Sequence, residues 1–119
     1  MANVVPNAFK GELLSGTHNF ASGGDSFKLA LYTANPYTTS STAYSSGAGN
    51  EVSGSAAGYS TGGSALTSQA VASSTATASV DFANLTFSSA TFSAAFGAIY
   101  NDDKSDKLVV ILDFGGTKT

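Results

Sequence analysis

From Ser41 to Ser79 the chain reads STAYSSGAGNEVSGSAAGYSTGGSALTSQAVASSTATAS, almost entirely Ser, Thr, Gly and Ala, with Glu51 as its only charged residue. Such a run is either a tether or part of a fold built from small side chains. Hydrophobic, strand-like segments lie on both sides of it and argue for a fold. Residues 36–63 read as a long polar loop whose sizeable apolar anchors are Tyr37, Tyr44, Val52 and Tyr59, ending in the turn-like GYSTGG. Beyond it, the Gly-free, Thr-rich stretch from Thr67 to Phe82 favours strand over coil. Its side chains are so small that parity hardly matters, and strand register is weakly specified. Val80 and Phe82 share one parity while Leu85 and Phe87 share the other, which predicts a bulge or corner near Ala83–Asn84.

The flanking segments carry clearer signals. In DSFKLALYTA, Phe27, Leu29 and Leu31 alternate with Lys28, Ala30 and Tyr32, the period of a half-buried strand. TFSAAFGAIY places Phe92, Ala94, Phe96, Ala98 and Tyr100 on one face. KLVVILDFGG is apolar on both parities from Leu108 to Leu112, as expected of a central strand covered on both sides, and NDDKSD joins these two segments as a hairpin loop. Near the start, PNAFKGELLSG reads as a short helix within an N-terminal arm of residues 2–16. Pro6 stands at the first helical position, Phe9 and Leu13 lie on one face, and Gly16 is the C-terminal cap. The expected class is all-β, a β-sandwich or jelly-roll-like barrel with a short N-terminal helix, in one domain spanning 1–119.

Composition excludes several functions. Charged residues are 11% of the 119, against about 25% in ordinary domains. Five lysines, no arginine and a net charge of -3 leave no basic patch for nucleic acid. Without cysteine there is no disulfide and no thiolate zinc site. The N-terminus lacks the basic and apolar regions of a secretory signal, and no apolar run approaches the roughly 18 residues of a membrane helix, so the expectation is a protein made in the cytosol that stays soluble or leaves by a route other than secretion.

The reactive residues are few. His18, the single histidine, has no G-x-S-x-G elbow or triad context around it; a hydrogen-bonded loop or core histidine is the simpler reading. Asp102, Asp103 and Asp106 crowd one loop. They read either as a hard-cation site or as ordinary turn chemistry, with Lys104 and Lys107 partly neutralising them. Glu12 and Glu51 would suit a glycosidase pair only if the fold brought them together. Asn84–Thr86 matches a glycosylation acceptor by chance. No catalytic residue, cofactor or metal is expected. The loop tyrosines read equally as partner contacts or as anchors over a core edge.

FKLALYTANPYTTSSTAY, NEVSGSAAGYSTGGSALTSQAV, ATASVDFANLTFSSATFSAAFGAIYND and KLVVILDFGG, in this order, resemble small virion structural proteins of tailed bacteriophages, from about Phe9 to Gly116. The resemblance implies an all-β capsid decoration (cement) protein with no enzymatic residues. Its partners would be the major capsid protein and further copies of itself, most simply as a trimer at threefold positions on the virion surface, with no nucleic acid or membrane. Candidate contacts are Val4, Val5 and Phe9 in the N-terminal segment and Tyr37, Tyr44 and Tyr59 in the loop. The alternative is a tail or fibre component that reads host glycans through an exposed tyrosine groove. The pattern usually continues into another strand after DFGGTKT, one that a neighbour could supply by β-augmentation.

Overall fold

A computed structural model describes residues 3–45, 49–87 and 90–118. The chain forms helix α1 (Asn7–Leu14) and strands β1 (Phe27–Tyr32), β2 (Ser64–Leu66), β3 (Ala70–Ser74), β4 (Thr77–Asp81), β5 (Ala94–Asn101) and β6 (Lys107–Lys118). All pairings are antiparallel. One sheet has the order β2-β1-β5-β6, and β3-β4 is a separate hairpin. The class is all-β. The expected sandwich takes another form, because loops cover the four-stranded sheet and the hairpin packs against no other helix or strand among the described residues.

Both faces of the sheet are buried. On one, Ala30, Tyr32, Ala98, Tyr100, Leu108 and Ile111 pack under Tyr37, with Val4 and Tyr44 at the margin. On the other, Leu31 and Ala94 pack with Val52, Tyr59, Phe87 and Phe92. β1 is therefore not half-buried as its alternation predicts: Ala30 and Tyr32 are as enclosed as Phe27, because the long loop folds back over their face. Phe92 and Ala94 also depart from the single face expected of them. A register shift between Ala94 and Phe96 moves them to the second cluster.

β6 is the last strand of the sheet rather than a central one. Its free edge is closed by irregular chain. Val4 exchanges two backbone bonds with Ile111 (2.9 and 2.7 Å), Leu108 N–H bonds Thr42 O at 3.0 Å, and Tyr44 N–H bonds Asp106 O at 2.7 Å. A strand covered in this way reads like a central one.

The loop is stitched to β1 as well. Thr33 and Val52 donate to Asn50 and Leu31 carbonyls, at 2.8 and 2.9 Å. Gly63, at φ +80°, lies so close to β1 that a Cβ there would fall on the Leu29 carbonyl. Helix α1 starts one residue later than expected, with Pro6 as its N-terminal flank. It ends in a Schellman turn: Gly16 at φ +74° places Thr17 N–H 2.9 Å from Glu12 O and Gly16 N–H 3.3 Å from Leu13 O. The stretch expected to be one strand from Thr67 to Phe82 is instead β3, a turn at Thr75–Ala76, and β4. Thr75 adopts φ +52° without the Gly or Asn that normally announces such a turn.

Candidate docking surface

An apolar groove of about 370 Å³ runs between the helix and the hairpin. One wall is α1, whose Phe9 and Leu13 lie four residues apart and so share a face. The opposite wall is the cross-strand pair Val71 and Val80. Val109 and Val110 of β6 form the floor, where a register shift interrupts the pairing with β5, and Val5 and Phe20 close the ends. Among the described residues, no charged side chain lines it. Among the described residues, the exposed large apolar side chains are Val5 (40%), Leu13 (49%), Leu14 (91%), Val71 (58%) and Val80 (39%). Four of them line this groove, and Leu14 follows directly on Leu13.

A run of rings fixes the groove's inner wall. Phe9 lies 6.0 Å from Phe20, Phe20 stacks on Phe27 at 4.5 Å, and Phe27 meets Phe82 at the hairpin's base at 5.9 Å. The base is closed by Ala83 N–H to Thr67 O at 2.8 Å and by the Gln69 amide donating to Asp25 O at 2.6 Å. Above that base all ten strand residues of the hairpin are exposed, and neither outer edge receives a backbone bond from another described element.

Under α1 lies a polar network. The Asn101 side-chain oxygen accepts from Asp103 N–H at 3.0 Å and its amide nitrogen donates to Asp25 Oδ2 at 2.9 Å, which fixes the orientation of the amide. That nitrogen also faces His18 Nδ1 at 2.9 Å, so Nδ1 must accept, and the proton on Nε2 is donated to Glu12 Oε1 at 3.0 Å. Lys107 lies 3.3 Å from Glu12 Oε2. Both ring nitrogens are thus engaged inside, and the His18 side chain is fully enclosed. Burial works to raise the Asp25 carboxyl, but the Asn101 amide and the Asn19 N–H outweigh it and hold Asp25 below the usual carboxylate range.

Glu51 organises the loop. Tyr44 donates to its Oε1 at 2.7 Å, while Tyr59 and Gly62 N–H donate to Oε2 at 2.6 and 2.7 Å. Tyr59 Oη in turn accepts from Leu31 N–H at 3.1 Å. Burial, followed by the bond to Glu51, pushes both tyrosine hydroxyls well above the usual phenol range. Glu12 and Glu51 belong to separate networks that share no residue, so no paired-carboxylate arrangement forms.

The candidate contacts divide in two. Val5 and Phe9 lie in the groove. Val4 is spent on the β6 edge, and Tyr37 and Tyr59 are buried, with Tyr44 half-buried and stacked on Tyr100 at 4.4 Å. These tyrosines act as anchors of the fold and form no exposed aromatic groove. Asp102, Asp103 and Asp106 do not all gather: Asp103 caps Ser26 N–H at 2.7 Å, while Asp102 faces Lys28 at 3.9 Å and shares a side-chain hydrogen bond with Asp106, whose carboxyl is pushed above the usual range by burial and then by Asp102. Among the described residues no group of three His, Cys, Asp or Glu is placed to hold a metal ion, and no helix is long and apolar enough to cross a membrane. The spacing of Phe9 and Leu13 marks one wall of the groove in the sequence. The other wall depends on a turn with no sequence mark.

Compared with known proteins, the chain matches no family model, no curated protein and no solved structure.

Proposed function

We infer that the protein is a structural component of a phage virion that binds the outer surface of the major capsid subunits and stabilises the assembled shell. The observation that carries this reading is the β3–β4 hairpin: exposed at every strand position, open at both edges, and free of charge from its start to Val80. A two-stranded ribbon standing alone is marginal in water. Bare edges without Lys or Pro invite a further strand. A shell subunit that supplies this strand adds main-chain hydrogen bonds, and the small Ala, Ser and Thr side chains allow close approach. Binding assembled shells but not separate subunits then stabilises the lattice by mass action. The order of sequence motifs, similar to that of small phage virion proteins, supports the same reading.

The test is co-sedimentation with shells of the phage that encodes the chain. Replacing residues 70–81 by a short Gly-containing turn leaves the Thr67–Ala83 closure in place and is expected to abolish pelleting with shells. Undiminished pelleting would reject the reading. Removing the N-terminal arm is a poorer test, because it strips Val4 from the β6 edge.

A further inference from the structure

His18 is the single histidine of the chain, and its surroundings are built for the neutral ring. The Asn101 amide cannot turn to receive a proton on Nδ1, because its oxygen is held by Asp103 N–H and its nitrogen by Asp25 Oδ2. A proton on Nδ1 would therefore face the amide N–H group across 2.9 Å. We propose that His18 is a pH-sensitive latch: the neutral ring holds α1 against the sheet, and protonation of the ring in mildly acid solution releases the helix. The inference is independent of shell binding and holds for the isolated protein.

Two carboxylates act on the ring and would favour the imidazolium, Glu12 from α1 and Asp25 from the segment before β1. Each already has a cation of its own. Lys107 of β6 lies 3.3 Å from Glu12 Oε2, and Lys104 of the β5–β6 turn lies 3.7 Å from Asp25 Oδ1. Asp103, on the same turn, is turned to Ser26 N–H at 2.7 Å. The charges are thus paired with the ring neutral. An added proton would be a surplus charge on a side chain with no exposed surface, against an amide that cannot accept from it. Helix α1 is the element that yields. None of its residues is buried, and among the described residues β6 is the only other helix or strand it packs on. Two of its holds run through the His18 ring itself: the Glu12 bond, and Phe9, whose ring centroid lies 5.1 Å away. A free histidine takes its proton near pH 6.5. A ring that takes it only with α1 open leaves the latch closed above that pH and weakens it as pH falls. The open population then grows about 30-fold from pH 7.5 to pH 5.

Hydrogen exchange of the purified full chain, corrected for the intrinsic pH dependence of amide exchange, tests this directly. Protection of the α1 amides from Gly11 to Leu14 is expected to fall about 30-fold between pH 7.5 and pH 5, while that of β5 holds. His18→Gln supplies an amide that donates to Glu12 and accepts from Asn101 at both pH values, so its α1 protection should not change between them. Nitrogen NMR of the parent's ring does not depend on the variant folding. At pH 5, under a protected α1, the ring should still be the neutral form with its proton on Nε2. Parent protection that is unchanged with pH, an equal loss in the variant, or an imidazolium beneath a protected α1 would each overturn the proposal.

Discussion

Glu51 shows how much one side chain can carry in a chain poor in charge. From Leu29 to Val80 it is the only ionised group, and its carboxylate gathers two tyrosine hydroxyls and a backbone N–H from three points of the loop. Glu51→Gln keeps the shape but replaces one acceptor oxygen by a donor, so at least one partner is left facing a donor. The expected loss is about 2–3 kcal/mol in urea unfolding, with Tyr44→Phe costing less because it removes a donor and leaves no conflict. A second prediction concerns Asp25. Its carboxyl is held below the unfolded value of about 3.9, so it contributes stability above that pH and loses it as pH falls towards the folded value. Asp25→Asn should therefore be less stable than the parent at pH 7, and the gap should close by about pH 2, as read from urea midpoints at the two pH values. Neither role was legible in the sequence. Glu51 reads there as half of a carboxylate pair with Glu12 that only the fold could assemble and Asp25 as the start of a strand, because their actual partners are brought together only by long-range folding.

The regular strands were the legible elements. β1, β5 and β6 follow from runs of large apolar residues, and the α1 helix from Pro6, Gly16 and the Phe9–Leu13 spacing. Burial was misread wherever the cover is not itself regular structure: Tyr32 faces a loop tyrosine, hydroxyl to hydroxyl at 2.8 Å, and period-two alternation cannot anticipate that. The hairpin was misread for the opposite reason. Ser, Thr and Ala offer no parity to fix a register, and Thr75 turns the chain at a positive φ that its residue type does not announce. A prediction belongs to this element. In hydrogen exchange on the isolated protein at low concentration, amides of β3 and β4 should exchange far faster than those of β5. Excising residues 70–81 should leave the thermal midpoint within a few degrees, since among the described residues the hairpin packs on no other strand or helix. Protection equal to that of β5 would show that the ribbon is supported without a partner.

Across the whole molecule, the sheet is closed by pieces far apart in the chain. β1 pairs with β5, so Tyr32 meets Phe96, and the chain's start at Val4 meets Ile111 near its end. A protein emerging from a ribosome reaches Tyr32, the bare hairpin and the whole neutral tract before β5 and β6 exist to cover them. Val4 and α1 wait longer still, because β6, the strand that receives them, is made after β5. Such a topology folds slowly and late, so nascent chains would be the most vulnerable population, and holding factors or rapid handover to a waiting surface would govern yield more than the finished molecule's own stability.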